Sequence, residues 1–291
     1  MARKPLALAL VPLLAACGSD PVADPGPRTT DPTPIVCEDG PGYADAEVEA
    51  RYVGPVRARI LDTEGEPPSV DILAQVCGVN FGNNVCINGS VESDGSVVVP
   101  TDNEIPEPAF KYGDGLVYGK LAILLPEPAD DLNLGSLVLP KLPSEGTPVS
   151  PGGRTVSNGV GLELETGTEI DLDPLFYRTP EEQAFRATEL DRDLIPAGVD
   201  HDNDLEQLFL LAPLDMSFCP PAKLDFPNSR GFAAGTEVEF LLEGFDIDEQ
   251  PYAPYGDWAV VAEGVVDASG ERIVTTSGGF PILSNVGVRP K

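Results

Sequence analysis

The sequence predicts an all-β fold in which two β-sandwich-like domains follow a disordered, acidic and Pro-rich tether. Short apolar runs alternate with turn residues along most of the 291 residues, a pattern typical of strands with one buried face. The chain contains 31 prolines and 30 glycines, which favour turns and short strands over long helices. It is 42% hydrophobic and can therefore bury a core.

Residues 1–16 are expected to form a signal peptide, because a basic start precedes an apolar run that ends in small residues. The run is shorter than the roughly 20 residues that span a bilayer. Residues 14–17 (Leu-Ala-Ala-Cys) resemble a bacterial lipobox. The resemblance implies cleavage before Cys17 and a lipoprotein whose acyl chains, palmitate among them, are carried on Cys17. It also implies export to the bacterial outer membrane, facing the periplasm or the cell surface; an ordinary secretory signal is the alternative.

Residues 17–46 are expected to form a linker. Proline, aspartate, glycine and threonine dominate this segment, and it shows no apolar periodicity. Such a composition predicts a solvated, semi-stiff chain. The linker would hold the folded body clear of the lipid surface.

Residues 47–142 are expected to form the first β-sandwich. Ser93-Asp94-Gly95 is a hairpin-turn signal. Strands are predicted at residues 56–60, 72–77, 97–99, 116–124 and 134–139.

This block resembles the carboxypeptidase regulatory-like domain, a small transthyretin-like β-sandwich. The resemblance covers about residues 50–126 and consists mainly of turn glycines and core alternation. The sequence departs from the family pattern at residues 77–86 and 101–109. The family domain is non-catalytic, so the resemblance implies no active-site residue. The matching positions are Gly54-Pro55-Val56, Arg59-Ile60-Leu61-Asp62, Gly65, Pro67 and Asp94-Gly95 before Val97.

Residues 143–158 read as a second linker, and residues 159–291 as a second β-rich domain. Residues 179–182 (Thr-Pro-Glu-Glu) have the composition of a helix start, so residues 184–190 are left open as a helix or a strand. The leader, the tether and the closing hairpin together loosely resemble predicted myxobacterial lipoproteins, a likeness that brings no known activity. Strands are predicted at residues 161–165, 207–212, 237–242 and 257–263, with a hairpin at 265–274.

Four cysteines remain after Cys17, and an even number in an exported chain predicts disulfide bonds. Four cysteines allow three pairings. Cys77 and Cys86 are close in sequence, so a local Cys77–Cys86 bond is favoured. That choice leaves Cys37 to pair with Cys219.

A candidate calcium site is formed by Asp200, Asp202 and Asp204, which place three carboxylates at alternate positions of one loop. The pattern is not an EF-hand, because Leu205 replaces its glycine and Leu211 its final glutamate. A solvated acidic loop is the alternative, and no other cofactor is expected.

The 48 acidic and 18 basic residues give a formal net charge of −30, which excludes a generic nucleic-acid binder. The single histidine, His201, has no recognisable nucleophile motif to serve, so an enzyme is not expected. Residues 245–258 gather aromatics beside carboxylates, a candidate sugar-stacking edge, although Trp258 is better interpreted as a core residue.

The sequence therefore predicts a lipid-anchored cell-envelope protein with a non-catalytic structural or interaction role. The lipid bilayer is its partner through Cys17, together with an unidentified protein or glycan. Two alternatives remain: a glycan-binding or surface-partner-binding protein, with or without calcium, and a hydrolase with an unrecognised carboxylate site.

Overall fold

The computed structural model describes residues 37, 40–43, 49–80, 83–127, 129–200, 202–244, 246 and 248–291. Residues 35–291 form one compact unit. The predicted signal peptide, Cys17 and most of the predicted first linker lie outside the described residues, as does His201.

The expectation of an all-β chain is confirmed, because the described residues are almost entirely strands and turns. The helical elements among them are α1 (Ala197–Asp200) and a 3-10 turn, Arg192–Leu194. The strands before residue 140 are β1 (Ala50–Val53), β2 (Val56–Leu61), β3 (Leu73–Asn80), β4 (Asn83–Asn88), β5 (Ser90–Val91), β6 (Ser96–Val99), β7 (Asn103–Pro106), β8 (Ala109–Gly113), β9 (Lys120–Leu124) and β10 (Leu132–Val138). The later strands are β11 (Arg154–Ser157), β12 (Val160–Glu163), β13 (Glu169–Asp171), β14 (Arg186–Leu190), β15 (Gln207–Ala212), β16 (Ser217–Pro227), β17 (Glu237–Gly244), β18 (Asp257–Val266), β19 (Arg272–Gly278), β20 (Phe280–Ile282) and β21 (Val286–Pro290).

The first block contains two four-stranded sheets, in the orders β10-β2-β6-β5 and β4-β3-β8-β9, and a small β1-β7 sheet. Strand β2 alternates buried and exposed residues, as expected of a strand that faces a core on one side only. Its Val56 and Ile60 belong to one buried cluster with Val76 of β3 and Phe110 of β8. The two sheets therefore enclose a common core.

Strand β8 is buried along its whole length. Phe110 and Tyr112 belong to the core of the first block. Ala109 instead clusters with Leu214 and Tyr255 of the second block. The β8 sheet is thus covered on both faces, which removes the alternation by which a one-sided strand is recognised.

The second block is one large sheet in the order β11-β12-β16-β19-β18-β17-β21-β15-β14, and β13 and β20 also pair with β16. The sheet is nearly closed and barrel-like. Its edges approach where the amide of Ala187 in β14 donates to Ser157 Oγ in β11, at 3.0 Å. Phenylalanine rings pack inside it: Phe209, Phe226, Phe240 and Phe280.

The strand pairings among the described residues keep residues 50–138 and 154–290 in separate sheets. The buried cores are less separate, because Leu190, Leu208 and Leu241 of the second block belong to the cluster that fills the first sandwich. The domain boundaries at residues 142 and 159 stay a prediction.

Two sequence expectations changed in detail. The strand expected at residues 116–124 begins only at Lys120, because the Asp114 carboxylate accepts the amides of Leu116, Val117 and Tyr118 and folds them into a turn. The segment left open at 184–190 is mainly strand β14. Across the described residues, no helix has both the length and the apolar character needed to cross a membrane.

Candidate functional site

Both predicted disulfide bonds are present, Cys77–Cys86 and Cys37–Cys219. Cys77 and Cys86 are directly opposed on β3 and β4. Cys219 lies on β16, so the second bond joins the far end of the predicted linker to the second block.

The predicted calcium residues lie at the end of α1 and in the loop that follows it. The Asp200 carboxylate accepts the amide of Leu205 at 2.7 Å and so closes the loop. Asp202 and Asp204 both have positive φ angles, of 62° and 54°. Among the described residues, no three His, Cys, Asp or Glu side chains form a group that could hold a metal ion.

Calcium binding at this loop therefore stays a prediction. A thermal melt in EDTA and then in millimolar calcium tests it, with Asp202→Asn as the variant in which a calcium-dependent shift should disappear. A ligand at 100 times its dissociation constant stabilises by about 2.7 kcal/mol, which is readily measured.

The aromatic residues of 245–258 are divided by the fold. Trp258 is buried, and its Nε1 donates to the carbonyl of Val199 at 2.7 Å, which confirms its interpretation as a core residue. Tyr255 is buried as well. Tyr252 instead lines an open cleft together with Asp248.

This cleft, of about 510 Å³, is the candidate functional site. One side is the segment 171–177 after β13, and the other is the turn 248–252. Asp215, Ser217 and Ile282 complete the lining. Among the described residues that line the cleft there is no lysine or arginine. The acidic residues are Asp171, Asp173, Asp215 and Asp248, and the aromatic residues are Phe176, Tyr177 and Tyr252.

Asp173 shapes the first side of the cleft. Its Oδ1 accepts the amide of Leu175 at 2.7 Å, and its carbonyl accepts the amides of Phe176 and Tyr177. This turn leaves the side chains of Leu175 and Phe176 73% and 77% exposed. An aromatic side chain is thereby presented to solvent at the rim of the cleft.

Glu249 organises the opposite side, the turn 248–252. Its side chain is fully buried, and its Oε2 accepts the amide of Asp246 at 2.9 Å. Its carbonyl accepts the amides of Tyr252 and Ala253 at 2.8 and 2.9 Å. One residue therefore fixes both ends of the turn that carries Asp248 and Tyr252.

The Glu249 carboxyl faces the carboxyl of Asp215, and Asp215 Oδ1 and Glu249 Oε1 are buried oxygens that accept no hydrogen bond from another group among the described residues. Burial raises the pKa of both groups, and the nearby Asp215 raises the pKa of Glu249 further. Two carboxyl groups in contact within a buried site retain one proton between them.

Two lysines of the first block hold the neighbouring residue, Asp246. Lys111 Nζ on β8 and Lys120 Nζ on β9 both lie 3.4 Å from Asp246 Oδ2. Lys111 is only 2% exposed, and burial lowers its pKa although Asp246 opposes the shift. Asp246, close before the turn 248–252, is thus tied to the first sandwich.

The carboxylates on the two sides of the cleft repel one another. Burial raises the pKa of Asp248, and so do the charges of Asp246, Asp173 and Asp171. Such a cleft is best satisfied by a ligand that brings hydrogen-bond donors or positive charge.

The sequence drew attention to Asp248 and Tyr252 as part of an aromatic, acidic segment, but it did not associate them with Asp215 or residues 171–177. Those residues are 30 or more positions away, and the pairing of β13 with β16, which sets Asp171 opposite Ser217, cannot be read from the sequence. No family model, curated protein or solved structure matches this chain in the comparisons with known proteins.

Proposed function

We propose that this chain is an exported, lipid-anchored protein of the bacterial cell envelope with a non-catalytic interaction role. The lipobox-like residues 14–17 and the apolar leader before them support the anchor. Two disulfide bonds support export, because such bonds persist in oxidising compartments. The bilayer is the partner at Cys17.

The architecture of the first block supports a non-catalytic role. Its paired sheets around one core agree with the resemblance of residues 50–126 to the carboxypeptidase regulatory-like domain, a non-catalytic module. In this proposal the first sandwich positions the second block, which carries the binding surface.

The ligand that best fits the cleft is a glycan. The observation that carries this proposal is the joint lining of one cleft of about 510 Å³ by three aromatic side chains and four carboxylates. Carboxylates accept hydrogen bonds from sugar hydroxyls, while tyrosine and phenylalanine rings offer apolar surface for the face of a sugar ring. A few polar groups placed among apolar ones are typical of small-ligand sites.

A glycan array probed with the full-length protein in detergent tests the cleft. We expect Tyr252→Ala and Phe176→Ala to lose at least tenfold in binding to whichever glycans the wild type retains. Tyr52→Ala is the matched control, because Tyr52 on β1 is an exposed aromatic residue outside the cleft. A blank array, or equal losses in all three variants, would refute glycan binding at this site.

Membrane fractionation tests the anchor separately. Cys17→Ser should move the protein from the outer-membrane fraction to the soluble fraction, because stable anchoring requires the acyl chains. Ser19→Ala is the control and should stay with the membrane. A Cys17→Ser protein that still sediments with membranes would contradict the lipoprotein assignment.

A further inference from the structure

The turn 248–252 is held to the rest of the cleft by a buried contact between two acids. Asp215 lines the cleft, and Glu249 lies behind it with a fully buried side chain. Since Glu249 is enclosed, only one carboxyl of the pair can meet a ligand. The turn 248–252 forms one wall of the cleft. The pair is therefore better suited to hold this wall in place than to act on a substrate with both carboxyl groups.

The two partners belong to differently supported parts of the second block. The amide of Asp215 donates to the carbonyl of Leu283 at 3.0 Å, and Leu283 in turn donates to the carbonyl of Met216 at 2.8 Å. Asp215 is thus fixed to the barrel-like sheet. Glu249 instead lies on the turn, which is shaped by its own backbone carbonyl and Oε2. From outside, the amides of Gly42 and Tyr43 donate to the carbonyls of Pro251 and Gln250 at 3.1 and 3.0 Å.

We propose that the single proton shared by Asp215 and Glu249 latches the 248–252 wall, so that the cleft is formed while the pair keeps its proton and opens when the proton leaves. With the proton, one carboxyl group of the pair donates a hydrogen bond to the other. Without it, two carboxylates meet in a buried site, and the repulsion is relieved by moving the turn that carries Glu249.

The other charged groups around Glu249 act in opposite directions: nearby acids favour retention of the shared proton, and nearby lysines favour its loss. On its own turn, Asp246 and Asp248 are further acids near the pair. Lys120 of β9 and Lys111 of β8 oppose them. The phenols of Tyr177 and Tyr255 also face the site, and the pKa values of both are raised, mainly by burial.

The direction of the pH effect follows from the pKa of the closed pair. Burial and Asp215 raise the pKa of Glu249 well above its ordinary range, whereas in the open wall a solvated glutamate titrates near its ordinary value of about 4.3. The closed wall therefore binds one more proton than the open wall between these two values. Closure is strongest at low pH and weakens as pH rises, and the opening equilibrium increases about tenfold per pH unit.

Amide hydrogen exchange between pH 5 and 9 tests the latch without any ligand. The amides of Tyr252 and Ala253 report the wall, because they donate to the carbonyl of Glu249. After correction for intrinsic exchange rates, and while reclosing outpaces exchange, their protection factors should fall about tenfold per pH unit until the pair has lost its proton. Amides of β15 are the reference, because they open only with the sheet and should stay far more protected than those of Tyr252 and Ala253 over the whole range.

Glu249→Gln is the decisive variant, because its amide nitrogen can donate to Asp215 at every pH while its oxygen still accepts from Asp246. We expect flat protection factors for Tyr252 and Ala253 in this variant. Glu243→Gln is the matched control, since Glu243 is another buried acid with a raised pKa that lies outside the turn, and it should keep the wild-type slope.

A flat wild-type profile would overturn the latch, as would an unchanged slope in Glu249→Gln or a slope abolished in Glu243→Gln. The consequence for ligands, weaker binding at alkaline pH, rests on the proposed role of the cleft. The exchange experiment does not depend on that role, because it uses no ligand. A result that refutes the latch can therefore be distinguished from a result that refutes glycan binding.

Discussion

Glu243 on β17 connects the two blocks through one buried carboxyl group, which is 1% exposed. Its Oε1 accepts the amide of Ala122 on β9 at 3.2 Å, and its Oε2 accepts Nδ2 of Asn285 at 2.6 Å. Asn285 Nδ2 also donates to the carbonyl of Lys120 at 2.6 Å. Burial raises the pKa of Glu243 to about 8, against the opposing effects of these hydrogen bonds and of Lys111.

The raised pKa predicts a pH-dependent stability. In the unfolded chain this carboxyl titrates near its ordinary value of about 4.3, so the folded chain holds the extra proton between that pH and about 8. The stabilisation by Glu243 is fully present below the lower value and is lost as pH rises. We expect urea unfolding to show wild type losing up to about 1.4 kcal/mol per pH unit relative to Glu243→Gln over this range. Parallel stability profiles for the two proteins would contradict this assignment.

Buried acids such as Glu243 and Glu249 could not be identified from the sequence. They are two among 48 acidic residues, and their special character comes from partners far along the chain. The disulfide bonds were easier to predict, because four cysteines allow only three pairings. Trp258 was predictable too, since it lies within a run of apolar strand residues.

The strands with one buried face were the predictable elements. Strand β2 alternates buried and exposed residues and covers the predicted residues 56–60, and the predicted turn at Ser93-Asp94-Gly95 joins β5 to β6, with Gly95 at φ 82°. Strand β15 has the predicted bounds although it is buried throughout, because its residues 208–212 form a continuous apolar run. Strand β8 was missed because burial on both faces removes its alternation and Lys111 interrupts its short apolar run. Strand β16 was missed because Pro220 and Pro221 argue against a strand by local propensity, although β12, β19 and β20 all pair with it.

The two disulfide bonds should contribute unequally to stability. Their sequence separations are 182 and 9 residues, and the chain-entropy model gives a larger effect for the longer loop, about 5 against about 3 kcal/mol. Urea unfolding should therefore show a greater loss for the Cys37→Ser, Cys219→Ser double variant than for Cys77→Ser, Cys86→Ser. The reverse order would mean that the local bond constrains more than its loop, for example by aligning β3 and β4.

At the scale of the whole molecule, the excess of acidic residues is the main electrostatic influence on stability. A net charge of −30 opposes the compact state through self-repulsion. Cross-block ion pairs such as those of Lys111 and Lys120 with Asp246 offset only a small part of it. The net charge could be counted from the sequence. The core shared by the two blocks could not be predicted from the pattern of apolar residues, because it depends on which sheet faces meet.

We therefore expect salt to stabilise the protein. Raising sodium chloride from 10 to 300 mM shortens the Debye length from about 30 Å to below 8 Å, and the melting midpoint should rise by a few degrees. EDTA in every sample keeps calcium out of the comparison, and potassium chloride should act equally. A midpoint that falls with salt would show that ion pairs outweigh the repulsion.

The bond between Cys37 and Cys219 also determines how the chain responds to mechanical force. A pull between the chain before Cys37 and the C-terminus crosses this bond directly to β16, so the enclosed loop, 182 residues in sequence separation, carries no tension. At about 3.5 Å per residue, roughly 600 Å of contour length stays hidden until the bond is reduced. Asp215 lies inside the shielded loop and Glu249 outside it, in the stretch that is pulled. If the chain is anchored as proposed, tension would therefore load the stretch that carries Glu249 and leave the loop that carries Asp215 unloaded.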